Sequence, residues 1–234
     1  MIKNKKVKIT ELGFLPYSEA WDIQEEYFSN TIAVKRQNRQ LDSSILTENH
    51  LLLVEHPPVF TLGKSGKIDH LLLKEEVLKS KGIAFFKTNR GGDITFHGPG
   101  QLVGYPILDL DNFFTDIHKY LRYLEEIIIK TLSDFGLNSA RSDGETGVWL
   151  DLGTPFARKI CAMGVRASRW VTMHGFALNI NTDLSYFDYI VPCGIQGKGV
   201  TSIAKELKRE VDPSIVKAAV LKNFSEVFEV EIIN

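Results

Sequence analysis

The sequence predicts an α+β fold, a single domain over residues 1–234 in which a mixed, largely antiparallel sheet is flanked by helices. Three observations lead there. Short apolar runs rich in β-branched and aromatic residues recur along the chain, several in succession with no room for a helix between them. Three other stretches carry helical periodicity, and they fall before, between and after the strand-rich middle. No repeat period, low-complexity block or Pro-, Gly- or Ser-rich linker divides the 234 residues.

The expected strands are Val7 to Phe14, Leu51 to Val54, Ile83 to Lys87, Leu102 to Leu108, Val148 to Leu150, Ile160 to Val165 and Val171 to Ile180. The plainest helix is Phe113 to Phe135, where Ile117, Leu121, Leu124, Ile128, Leu132 and Phe135 recur at three- or four-residue spacing and Gly136 stops the run. Asp212 followed by Pro213 reads as an N-cap with proline at the first helical position, and Ile215, Val216, Ala219 and Val220 then mark a C-terminal helix. Ser18 to about Arg36 is a less regular third.

Composition narrows the function class. Hydrophobic residues make up 44% and charged residues 24%, near the globular average. With 28 Lys and Arg against 29 Asp and Glu the formal charge is -1, which disfavours a dedicated nucleic-acid binder. No apolar run exceeds four residues, so no membrane-spanning helix is expected. Lysines crowd the start (Lys3, Lys5, Lys6, Lys8) without a following apolar stretch, so a cytoplasmic setting is expected. The two cysteines, Cys161 and Cys193, are too few for a disulfide scaffold or a zinc site. His50, His56, His70 and His118 have no metal-ligand spacing and read as surface or satisfied structural residues. Glu125-Glu126 and Lys205 to Glu210 read as solvated helix faces.

Chemistry concentrates in three clusters. The first, Arg90-Gly91-Gly92-Asp93-Ile94-Thr95-Phe96-His97 continuing to Gly98, Gly100 and Gln101, packs four glycines into ten residues, a density that suits a loop hugging a ligand and also suits a tight turn. It has neither the dinucleotide nor the P-loop spacing. The second, Arg158 to Arg166, reads as the first strand of a hairpin completed by Trp170 to Ile180. Strict alternation would put Lys159, Cys161 and Met163 on one face. Lys159 is then either snorkelling at a strand edge or held in an enclosed site. In the third, Val191 to Ser202, Cys193 stands between Pro192 and Gly194 in a loop. Its thiol would react at neutral pH only beside a cation or a base, for which Lys159, His97 and His174 are candidates.

Together the clusters resemble the lipoate-biosynthesis octanoyltransferases. The segments 90 to 101, 158 to 166 and 191 to 195 are similar to that family's signature, lysine and nucleophile motifs, in the family's order. The resemblance implies an α+β catalytic domain like that of lipoate and biotin protein ligases, with no cofactor and no metal. It implies transfer of an octanoyl group from octanoyl-acyl carrier protein to a lysine ε-amine, through an acyl thioester on Cys193 with Lys159 as its partner. The acceptors would be lipoyl domains of 2-oxoacid dehydrogenase complexes and the glycine cleavage H protein. Substrate contacts would come from Arg90 to His97, from Ala162, Met163 and Gly164, and from Gly175, Phe176 and Ala177. Cys161 would line the pocket. Three rival readings are an ATP-dependent lipoate or biotin ligase, which would need no nucleophilic cysteine, a non-catalytic protein that binds acylated carrier or lipoyl domains, and a Cys-dependent thioesterase with His97 or His174 as base.

Overall fold

In the computed structural model, residues 3–191 and 199–233 are described. The chain runs β1 (Lys6–Phe14), α1 (Tyr17–Leu41), β2 (His50–Glu55), β3 (Val59–Leu62), α2 (Glu75–Ser80), β4 (Ala84–Lys87), β5 (Ile94–His97) and β6 (Gln101–Ile107). It continues through α3 (Ile117–Asp134), β7 (Ala140–Arg141), β8 (Val148–Leu150), β9 (Arg158–Ser168) and β10 (Val171–Asn179) to β11 (Gly199–Val200), α4 (Ile203–Leu207), α5 (Pro213–Phe228) and β12 (Glu231–Ile233). The main sheet has the order β12-β1-β2-β6-β10-β9-β8-β7, with β11 pairing β9, and a smaller sheet has the order β4-β3-β5. From β2 to β7 every neighbour in the main sheet is antiparallel, whereas β1 runs parallel to both β2 and β12, and β11 parallel to β9. The expected α+β fold with a mixed, largely antiparallel sheet is what forms.

The run Leu51-Leu52-Leu53-Val54 shows how the layers assemble. Successive side chains of a strand point to opposite faces. Leu51 and Leu53 therefore join the core beneath α3 and α5, with Tyr120, Leu124, Ile128, Val216, Val220 and Phe224. Leu52 and Val54 pack on the other face with Ala20, Phe28 and Ile32 of α1. The small sheet closes a third cluster around Phe60, Leu62, Leu78, Ile94, Phe96 and Ile190. No helix among the described residues is long and apolar enough to cross a membrane.

Several boundaries differ from expectation for identifiable reasons. The third helix begins at Ile117, because the Asp116 carboxylate caps it by accepting the Lys119 amide at 3.0 Å. Phe113 and Phe114 precede it and pack on Phe228 instead. The first helix extends to Leu41 through an exposed polar end without periodicity, stopping where Asp42 turns left-handed. Strands β3 and β5 were not expected; β5 emerges from the glycine-rich cluster and pairs antiparallel with β3. Glu125 is a correction: it is fully buried, accepting the Gly147 amide at 3.0 Å and pairing with Arg122 at 2.8 Å. Burial raises its carboxyl above the usual range, and the Gly147 amide, Arg122 and Arg141 oppose that shift. Glu206, also expected on a solvated face, is held bidentately by Arg158 at 2.6 Å.

Candidate active site

A cavity of about 450 Å³ opens where β6, β10, β9 and β8 meet the edge of the small sheet. Its walls bring the expected clusters together. Arg90, Gly91, Gly92, Asp93, Ile94, Thr95 and His97 line it from one side, and Lys159, Ala162, Met163, Gly164, Gly175, Phe176 and Ala177 from the other. Phe96 is the exception among the expected residues. The pleat turns it away from the cavity, into the cluster behind the small sheet, where its ring stacks on Tyr186 at 4.5 Å. Cys193 lies outside the described residues, but the chain that follows it, Gly199 and Val200, lines the cavity.

Two motifs touch directly at Gly164. The Gly91 amide donates to the Val165 carbonyl at 2.8 Å, and a Cβ on Gly164 would stand 2.7 Å from the Gly91 oxygen. Only glycine admits that approach of backbone to backbone.

Behind the wall a polar chain ties all three regions. Arg90, 8% exposed, donates through Nη2 to the Thr61 carbonyl at 2.6 Å and to Thr61 Oγ1 at 2.9 Å. The Thr61 hydroxyl donates in turn to His97 Nε2 at 3.3 Å, and His97 Nδ1 donates to Gln101 Oε1 at 2.8 Å. Gln101 donates to Asn179 Oδ1 at 2.8 Å, Asn179 to the Thr201 carbonyl at 3.0 Å, and the Thr201 amide to the Lys159 carbonyl at 2.9 Å. The tautomer follows from the partners: Gln101 spends its amide as donor, so its oxygen must accept from His97.

The imidazoles here are held neutral. Burial pushes His56 down to about 4 and His174 down to about 3, and it depresses His97 well below its usual value, with His56 and Arg90 adding to that shift. Tyr17, stacked on His97, is raised by burial to about 12. His56 donates to the Leu15 carbonyl at 2.7 Å and accepts from the Tyr105 hydroxyl at 2.8 Å. His174 sits left-handed (φ 58°) within β10, with Nε2 at 2.7 Å from Asn89 Oδ1.

The lysine and the first cysteine part company, against the expectation from alternation. Where β8 pairs with β9, Val148 faces Cys161 but Trp149 faces Lys159, so Ile160 is a bulge. A bulge turns two successive side chains to the same side. Ile160 and Cys161 therefore both enter the core beneath the helices, while Lys159 and Ala162 line the cavity. Cys161 is fully buried and is not a pocket residue, and burial drives its thiol far above the ordinary range. The Lys159 ammonium lies 4.5 Å from the centre of the Trp149 ring. Tyr17, Thr61 and Trp149 were missed because they come from a helix and strands outside the three clusters, whereas Asn179, two residues after Ala177, stood within the second. Gln101 and Tyr105 had a signal in their nearness to the glycine-rich cluster. Among the described residues no group of His, Cys, Asp and Glu could hold a metal ion.

Comparison with known proteins accords with this geometry. The family model for the lipoyl protein ligase A/B catalytic domain matches residues 16–225. The octanoyltransferase of Flavobacterium johnsoniae is 62% identical over 231 residues, which is 98% of this chain and 100% of that protein. That of Christiangramia forsetii is 63% identical over 230 residues, 98% of each chain. A bi-partite lipoate protein ligase from Thermoplasma acidophilum, described together with its E2 lipoyl domain, shares the fold at 16% identity and a TM-score of 0.67, over 100% of this chain and 88% of that one. Because the family model covers most of the chain and relatives this similar align over nearly their whole length, the chain belongs to the lipoyl protein ligase A/B catalytic-domain family and, within it, to the octanoyltransferases, which are acyltransferase enzymes.

Proposed function

We propose that the chain, acting as one catalytic domain in the cytoplasm, moves an octanoyl group from octanoyl-acyl carrier protein to a lysine ε-amine of lipoyl domains. The acceptors are those of 2-oxoacid dehydrogenase complexes and the glycine cleavage H protein. The observation that supports this reading is the cavity. Val103, Met163, Val165, Phe176 and Ala177 give it an apolar wall, and Lys159 and the chain after Cys193 border it. An acyl tail of seven carbons gains about 0.8 kcal/mol per buried methylene, roughly 5 kcal/mol in all, and needs no polar partner.

In the first step the Cys193 thiolate attacks the donor's thioester carbonyl carbon. The bond from that carbon to the carrier's sulfur breaks, and the carrier leaves as a thiol. In the second step the acceptor's amine nitrogen attacks the same carbon, the bond to Cys193 breaks, and the nitrogen loses its proton as the amide forms. Exchange of one thioester for another is nearly balanced and formation of the amide is downhill, so ATP is not required. The Lys159 ammonium stabilises the thiolate and relays protons. Arg90, Gly91, Gly92, Asp93, Ile94, Thr95, His97, Ala162, Gly164 and Gly175 shape the acyl site around it, and Phe96 anchors the loop from behind. A thioesterase with His97 as base is disfavoured, because both ring nitrogens are already engaged, by Thr61 and Gln101. The test is an ATP-free incubation with octanoyl-acyl carrier protein and a lipoyl domain. Octanoylated domain from wild type and none from Cys193→Ala supports the proposal. A strict need for ATP would overturn it in favour of a ligase.

A further inference from the structure

We propose that His70 is a positioning residue for this transfer. Its bond to Asp93 fixes the chain leading into Cys193 against the loop that lines the acyl cavity. The inference rests on the reading of Cys193 as the nucleophile.

His70 stands in the excursion between β3 and α2 and reaches two elements at once. Its Nδ1 donates to Asp93 Oδ2 at 2.5 Å, with the two side chains only 23% and 11% exposed. Asp93 lines the cavity, and its other oxygen accepts the Ile94 amide at 2.7 Å, so the carboxylate is fixed from both ends. The excursion is laced to the same loop by its backbone. Gly63 donates to the Asp93 carbonyl at 3.1 Å, Lys64 to that of Arg90 at 2.9 Å, and Ser65 to that of Gly92 at 3.1 Å. A Cβ on Gly66 would stand 2.6 Å from Asp93 Oδ1, so a larger residue there would displace the carboxylate.

On its other side the excursion holds the strand-like run before Cys193. The His70 carbonyl accepts the Val191 amide at 2.8 Å, Leu72 donates to the Tyr189 carbonyl at 2.9 Å, and Leu71 bridges Ile190. Val191 is two residues before Cys193 in the sequence. One residue thus bonds the cavity loop through its side chain and the approach to the nucleophile through its backbone. Removing the imidazole leaves the Val191 bond in place but frees the excursion from the carboxylate. A reacting pair misplaced by about 1 Å loses about a hundredfold in rate.

The experiment follows formation of the octanoyl adduct by quench and intact-protein mass, over a range of octanoyl-acyl carrier protein concentrations. The proteins are full-length wild type, His70→Ala, His70→Asn, Asp93→Ala and the double variant His70→Ala/Asp93→Ala. We expect His70→Ala to lower the saturating rate about tenfold to a hundredfold, with the half-saturating donor concentration within about twofold of wild type. In His70→Asn the amide N–H replaces Nδ1–H, and the rate recovers to within about threefold of wild type. The double variant is no slower than the slower single one. If His70→Ala does not fold, His70→Gln takes its place: its amide stands one bond further out than Nδ1–H, so the saturating rate falls about tenfold while His70→Asn stays within about threefold, and equal rates in the two would overturn the role of His70. A wild-type rate in the alanine variants, a loss seen only in half-saturation, or no recovery in His70→Asn would overturn the role of His70. If wild type itself forms no adduct, or Cys193→Ala forms it equally, the transfer reading fails and this inference with it.

Discussion

Lowering the pH from 7.5 to 5 will cost this protein about 4 kcal/mol of stability through two histidines, with a third adding to it. His56 and His174 are 0% and 1% exposed, and burial holds their pKa values at about 4 and about 3. In the unfolded chain each titrates at about 6.5. A base whose folded pKa lies below its unfolded one keeps the native state favoured above the unfolded value. That advantage is lost as the pH falls, because the unfolded chain then takes up a proton that the native state refuses. At pH 5, roughly 1.5 units below the unfolded value, the loss is about 1.36 kcal/mol per unit, or roughly 2 kcal/mol for each residue. His97, depressed in the same direction, steepens the slope, while Glu125, raised by burial, works in the opposite sense. Against a typical total of about 5–15 kcal/mol this is between roughly a quarter and four-fifths of the stability. Urea unfolding at 25 °C, followed by fluorescence and circular dichroism at pH 7.5, 6.5, 5.5 and 5, measures it. A free energy at pH 5 within about 1 kcal/mol of that at pH 7.5 would refute the neutral-imidazole account.

Three further outcomes follow from the cavity and its walls. A hexanoyl donor buries two methylenes fewer, so its kcat/KM falls by about 1.6 kcal/mol, roughly 15-fold against octanoyl; equal values would mean the tail is not enclosed. Gly164→Ala puts a Cβ 2.7 Å from the Gly91 oxygen. Overpacking of that kind costs about 1–3 kcal/mol, so the thermal midpoint drops by roughly 2–12 °C, and an unchanged midpoint would mean the loop yields freely. Cys161→Ala removes a buried thiol from the core at a cost of about 1 kcal/mol and leaves octanoyl-adduct formation intact. Loss of the adduct in that variant, with the fold retained, would reassign the nucleophile.

The helices and the central hairpin were legible in the sequence because their signals are local. Asp212 caps and Pro213 starts the last helix and Gly136 stops the third, each without reference to the rest of the chain, whereas the Asp116 cap and the short α2 were not anticipated. β5 was hidden because its four residues sit among glycines, and its partner β3 is equally short. Residues of the first two motifs line opposite sides of the cavity, and Gly199 and Val200 of the third border it. What they could not supply was orientation. Alternation set Lys159 beside Cys161, and one bulged residue, Ile160, separates them. That bulge is a property of the β8–β9 pairing and leaves no mark on the β9 sequence. Glu125 misled for a related reason: its burial depends on Gly147 and Arg141, which the fold brings to it beside its own helix neighbour Arg122.

The most direct measurement is the intact mass of the purified protein after mixing with octanoyl-acyl carrier protein in the absence of ATP, for wild type, Lys159→Ala and Cys193→Ala. The account predicts a single octanoyl adduct in wild type, discharged by a lipoyl domain. It predicts slower formation near neutral pH in Lys159→Ala, where the thiolate fraction falls, and none in Cys193→Ala. An adduct that persists in Cys193→Ala, or wild-type transfer that proceeds with no adduct at all, would contradict it.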